Sequence, residues 1–319
     1  MDHGRHARRL LIGGWLAGVA LIAAAATQSP LRAARWLPAD RQAQALAQEP
    51  SECLTPAANA AEAQRIAIGR AAFRTPLLLG GQAARVGLSC SSCHRNGRGN
   101  PDFSFPGFSG PPGTADVTSS LMSSHRGDGV DNPTPIPDLS GPPQALKISR
   151  DPATRALENF IRGLIVEEFD GPEPSTATLD GLAIYVRALS PQACPAEPVQ
   201  AIDLAHALSD ARAAAVAAQS ALAAKDAVTA RLMVASARSA LGRIDERYAG
   251  QALAADREGV READQELAQI QLAIDSRRAN TSLRITAWLA AMPRWTAALE
   301  RDEAQSLFNA QRLATTAAN

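Results

Sequence analysis

The pentapeptide Cys90-Ser91-Ser92-Cys93-His94 constrains this chain more than any other stretch. Two thiols three positions apart, with a histidine directly after the second, form a C-x-x-C-H unit, the attachment signature of a c-type haem. Each cysteine adds across one vinyl group of the porphyrin. The tether then leaves the histidine almost no place except beneath the iron, as proximal ligand. A zinc half-site fits less well, because no second Cys or His pair follows at close spacing. A thioredoxin-like dithiol would expect a βαβ context, and Gly/Pro-rich sequence follows instead. The motif therefore predicts one covalent haem c on Cys90 and Cys93, with His94 on the iron.

The remaining cysteines and the N-terminus address the compartment. Four cysteines are present, so Cys53 and Cys194 are left over, one upstream of the motif and one well downstream. In an oxidising compartment they form one intramolecular bridge that ties the two ends of a domain together. Basic residues at Arg5, Arg8 and Arg9 precede an apolar run from Leu10 to Ala26. This reads as a secretory signal, or as an uncleaved anchor that tethers the protein to the membrane through residues 10–26. Either way the rest of the chain is predicted to lie in the periplasm.

Composition sets further limits. Lys+Arg and Asp+Glu are both 32, so the formal net charge is zero, which argues against nucleic acid as a partner held by bulk positive charge. The 319 residues suggest two domains. Aromatics are only 4% and alanine makes up much of the apolar fraction. Compact units then need long helix seams or something bulky and apolar inside them.

Helices are expected on both sides of the motif. Ala61–Phe73 places Ile66, Gly69 and Phe73 at helical spacing, and 178–189 does the same for Leu182, Tyr185, Val186 and Leu189. Gly69 within a helix suggests a close crossing, with Tyr185 a candidate to fill the notch. Gly69-x-x-x-Phe73 ahead of C-x-x-C-H, with an L-x-x-Y-V-x-x-L helix at the end, resembles a class I cytochrome c. More narrowly, IGRAAFRTPLLL…LSCSSCH is similar to the bacterial di-haem cytochrome c peroxidase and MauG-like family. So are Ile136-Pro137-Asp138-Leu139, Leu157–Arg162 and Glu168-Phe169-Asp170-Gly171. The resemblance spans about 52–195 and implies a haem domain with long Gly/Pro-rich loops. It also implies Arg70 as partner of a haem propionate. The chain departs from that family in carrying a single C-x-x-C-H, where the family's peroxidases carry two haems.

The sixth iron position has two candidates, Met122 and its alternative His125, both in a serine-rich stretch, or it is open. Phe103, Phe105 and Phe108 are placed to pack on the porphyrin, and Arg85, Arg95 and Arg98 to flank it. Asp128, Asp131 and Asn132 fall well short of an EF-hand in spacing and ligand count, so a calcium site is weakly supported. After Pro198, glycine falls away and apolar seams appear, such as Leu208, Ala211, Ala215, Ala218 and Leu222. Breaks near Asp226, Gly250 and Asn280, with Pro293 placed to kink the last seam, predict three or four antiparallel helices.

The expected architecture is all-α. It comprises 1–26 as signal or anchor, 27–50 as linker, 51–196 as a mono-haem class I cytochrome c-like domain and 197–319 as a helical bundle. The bundle is a candidate docking or oligomerising module. No catalytic constellation is visible. The leading function is exchange of electrons with a redox partner protein. The alternative is a peroxidase-type enzyme or subunit that relies on a second haem in a partner.

Overall fold

A computed structural model describes residues 29–125, 127–142 and 146–317. The signal or anchor expected over 1–26 lies outside these residues. The described residues are 61% helix and 6% strand, which makes the fold all-α. In order, the helices are α1 (Gln42–Ala47), α2 (Ala60–Phe73), α3 (Pro76–Leu79), α4 (Gly81–Val86), α5 (Cys90–Cys93), α6 (Ala156–Gly163), α7 (Thr176–Ala188), α8 (Leu204–Ala223), α9 (Ala227–Arg247), α10 (Ala254–Asp275), α11 (Thr281–Asp302) and α12 (Ala310–Ala317). Their starts follow from side-chain capping. Asn59, Ser175, Asp203 and Asp226 each accept a backbone N–H from the first turn of α2, α7, α8 and α9.

In the first unit α2 crosses α7 at Gly69 and Gly181. A Cβ on Gly69 would lie 2.0 Å from the Gly181 carbonyl oxygen. The notch is therefore filled by backbone, not by Tyr185. That ring packs one turn further along, edge-on to Phe73 at 5.2 Å. Glycine at position 69 permits this approach. The two ends of the unit are sewn together. Strand β1 (Gln48–Pro50) pairs antiparallel with β6 (Val199–Ala201), Leu54 bridges to Leu189, and Cys53 is bonded to Cys194. Of the four remaining short strands, β2 (His94–Arg95) pairs with β3 (Arg98–Gly99), and β4 (Thr114–Ala115) with β5 (Thr134–Pro135).

The disulfide closes a loop across 141 positions. Replacing Cys53 and Cys194 together by alanine should lower unfolding free energy by about 2–4 kcal/mol. Denaturant titration with and without reductant measures it. A double variant as stable as the oxidised parent would remove the bridge from the stability account.

The second unit is a ring of four helices. Helix α8 packs on α9, α9 on α10, α10 on α11, and α11 returns to α8. The three breaks fall where the sequence placed them, and α11 continues through Pro293. Alanines on α8 and α9, among them Ala211, Ala215, Ala218, Ala230 and Ala237, are fully buried, and their small size lets the two axes approach. The bundle also packs on the first unit: α8 and α9 both meet α2, and Ser236 donates to the Ala71 carbonyl at 2.9 Å. One apolar core runs through both units.

The linker expected over 27–50 is corrected. Leu31, Ala34, Leu37, Ala45 and Leu46 form a small core with Leu313 of α12, and α1 packs on that helix. The apolar spacing of this stretch is too short to register as a helix. It acquires its partners only from distant segments, β6 through β1 and Leu313 of α12 more than 250 positions later.

Candidate functional site

The site is built on a single helical turn. Ser89 caps α5, and Ser92 reaches back to the Ser89 N–H at 3.1 Å, a reciprocal capping box inside the motif. Cys90 and Cys93 therefore stand on one face, one turn apart, unpaired and half-buried. Immediately after α5 the chain turns back on itself. Asn96 and Gly97 both have positive φ, 50° and 76°, the requirement of a tight hairpin turn, and they join β2 to β3. Asn100 fastens the hairpin to the helix: its N–H donates to the Cys93 carbonyl at 3.0 Å and its Nδ2 to the Ser92 carbonyl at 2.9 Å.

This hairpin delivers His94 to its partner. The Leu139 N–H donates to the Gly97 carbonyl at 2.9 Å, which lays residues 136–139 against the turn. There the Pro137 carbonyl lies 3.0 Å from His94 Nδ1. A carbonyl only accepts, so Nδ1 carries the hydrogen and Nε2 of the neutral ring keeps its lone pair. Burial pushes the His94 imidazolium down to about 4, against a smaller opposing effect of the Pro137 hydrogen bond, so the ring is neutral near pH 7. A ring fixed at one nitrogen by a carbonyl, with the other free, is how proteins present histidine to a metal.

The thiols are equally informative. Burial raises Cys90 to about 12 and raises Cys93 as well, the latter with a contribution from Cys90. Dithiol redox centres work through a lowered thiol pKa, and these two are shifted the other way. Among the described residues no group of three or more His, Cys, Asp or Glu is arranged to hold a metal ion. A four-ligand zinc site is thus not assembled around Cys90 and Cys93 from those residues.

No family model matches the chain, and no curated protein and no solved structure matches it either. The site is read from its own geometry.

The structure gives the expected residues the following partners. Arg70, expected on a propionate, is committed to two carboxylates. Its Nε lies 2.8 Å from Glu52 Oε2 and its Nη1 2.6 Å from Asp210 Oδ1 of α8. Through these contacts the guanidinium ties the first unit to the bundle. Phe103 is fully buried and Phe105 half-buried, and both meet Phe108 edge-on at 6.3 and 6.4 Å. The ring beside His94 is Phe73, at 6.4 Å. Arg98 bonds Asp138 at 2.6 Å, next to Pro137, and its Nη1 lies 3.3 Å from Cys53 Sγ.

The two distal candidates separate by burial. Met122 is 2% exposed, in a turn held by its N–H on the Ser119 carbonyl. The His125 side chain is 62% exposed, with Nε2 3.7 Å from Asp170. Sequence reasoning missed three contributors: the Pro137 carbonyl, the Asn96–Asn100 scaffold, and Glu52 beneath Arg70. The Asn96-Gly97 dipeptide was the available signal for the hairpin. Nothing local in the sequence pairs Pro137 with His94.

Proposed function

We propose that this chain is an exported mono-haem c-type cytochrome, similar to the class I fold, that exchanges electrons with a redox partner protein. One observation carries the reading: His94 is neutral, bound through Nδ1 to the Pro137 carbonyl, and directly follows two neutral, unpaired thiols on one turn. Cys90 and Cys93 would hold the porphyrin through thioethers, and His94 Nε2 would face the iron. The bound haem supplies a one-electron couple. The Pro137 hydrogen bond fixes the His94 ring plane and raises the electron density at Nε2. Phe73 limits water at the His94 ring from one side. Met122, whose thioether is buried, would hold the iron ahead of the outward-turned His125, and a thioether beside a histidine would suit an electron carrier. The Cys53–Cys194 bridge supports maturation in an oxidising compartment such as the periplasm.

The test is the full chain matured in a host competent for covalent haem attachment. The expected product is coloured, with the mass of the mature polypeptide plus one haem and a low-spin spectrum. His94→Ala should lose the low-spin form while keeping the covalent mass. Met122→Ala should shift the reduction potential or open the iron to carbon monoxide. A colourless parent protein with bare polypeptide mass overturns the proposal. A parent that is high-spin and turns over peroxide would move the reading to the peroxidase alternative.

A further inference from the structure

A cleft of about 510 Å³ lies between the first unit and the bundle, lined on the α5 turn by Ser91 and Ser92. That is within the roughly 300–1,000 Å³ of small-molecule sites. Its lining is divided in character. Trp36, Leu37, Leu46, Leu77 and Phe308 contribute apolar side chains, and Leu77 is 54% exposed. Arg74, Arg95, Arg243 and Arg247 bring four guanidiniums.

Counter-charge at contact distance is unevenly shared among these guanidiniums. Asp264 is spent on Arg238, Glu246 on Arg32, and Asp203 on His206 at the start of α8. Asp210 holds Arg70 at 2.6 Å and reaches Arg74 and Arg243 only at 3.7 and 3.6 Å. Glu52 lies 3.4 Å from Arg74 Nη2, and Glu49, bonded to Gln200 at 3.0 Å, faces Arg74, Arg95, Arg243 and Arg247, with Glu246 also facing the last two. Arg247 is 7% exposed and, among the described residues, has no carboxylate in contact. Its two Nη atoms are met by the Leu307 and Leu46 carbonyls, and its plane lies 4.8 Å over the Phe308 ring. Arg74 Nη1 is buried with no hydrogen-bond partner. Burial lowers Arg95, Arg243 and Arg247, whereas Asp210 and Glu52 hold Arg74 above its ordinary value against burial. An unpartnered buried guanidinium N–H is costly, and a planar oxyanion would satisfy it in the fork geometry that Arg prefers.

We infer that this cleft binds a small organic carboxylate, its head on the guanidiniums and its apolar body on Trp36, Leu46 and Phe308. The inference is independent of the haem reading, because binding is measured on the polypeptide whether or not colour develops.

Calorimetric titration of the full chain with 2-naphthoate tests it, with inorganic phosphate and uncharged 2-naphthol as comparison probes. The expected result is saturable 1:1 binding of naphthoate, with phosphate and naphthol each at least about tenfold weaker, since each lacks one half of the recognition. Arg243→Gln should weaken naphthoate by about tenfold. Leu77→Ser, at an exposed position where the fold is not at stake, should weaken it several-fold and leave phosphate unchanged. Phosphate as tight as naphthoate would overturn the amphipathic ligand. Naphthoate affinity unchanged in both variants would overturn the cleft as its site, and so would no binding at all.

Discussion

A Gly69→Ala variant is expected to lose more than about 3 kcal/mol of folding free energy, while Gly181→Ala, at the same helix crossing, should lose far less. The asymmetry comes from what each new methyl would meet. On Gly69 the Cβ falls 2.0 Å from the Gly181 oxygen and 2.8 Å from the Leu182 nitrogen, both backbone atoms that move only if α7 moves. On Gly181 the nearest atoms are the Arg65 oxygen and Gly69 nitrogen at 3.0 Å and the flexible Ile68 Cγ2 at 3.1 Å. A few tenths of an ångström of adjustment relieves those contacts. The gain of about 1 kcal/mol in helix propensity then offsets part of the cost. The consequence reaches the site, because α2 and α7 carry Phe73 and Tyr185, which pack on each other, and Phe73 adjoins His94. Guanidinium titration followed by far-ultraviolet circular dichroism measures both variants. Equal losses would mean that the crossing is looser than the 2.0 Å approach implies.

That crossing also shows where sequence reasoning reaches and where it stops. Gly69 stands out because glycine is unfavourable inside a helix, so a close approach is legible. Its partner is not. Gly181 lies more than 100 positions away in a helix that also reads well without it, and Tyr185 is the more conspicuous filler. The bundle is legible almost throughout, since its caps and breaks at Asp226, Gly250 and Asn280 are local signals. The site splits along the same line. Cys90, Cys93 and His94 announce themselves by spacing, and Cys53 with Cys194 by subtraction. The Pro137 carbonyl is a backbone atom with no residue signature, and a chain reversal across residues 97–139 brings it in. Resemblance assigns Arg70 to a ligand. Its partners Glu52 and Asp210 come from the start of the first unit and from the bundle, a pairing that only the tertiary arrangement creates.

Glu52→Gln should destabilise the protein on the order of 3 kcal/mol, because it strips one carboxylate from a network that shields two guanidiniums from water. Glu52 accepts from Arg70 Nε at 2.8 Å, from Arg74 Nη2 at 3.4 Å and from the Tyr185 hydroxyl at 2.7 Å. Burial pushes the Glu52 carboxyl up, but Arg74, Arg70 and the Tyr185 hydrogen bond outweigh it and hold it below its ordinary 4.5. Asp210, on the far side of the same arginines, is held below 3.8 against burial, chiefly by Arg74 and Arg70. A carboxyl whose folded pKa is depressed contributes its stability fully above the unfolded value and loses it as pH falls through the folded one. The parent should therefore keep constant stability down to about pH 5 and lose it progressively below about 4.5. The Glu52→Gln variant should start lower and show a shallower acid slope, because only Asp210 still titrates in the cluster. The network also touches the site: Arg74 Nη2 bonds Asn96 Oδ1 at 2.5 Å, and Asn96 forms the turn that aims His94 at Pro137. Denaturant titrations of the parent and Glu52→Gln across the acid range up to neutral pH separate these effects. An identical acid slope in both would show that Glu52 is not the group whose protonation loosens the fold.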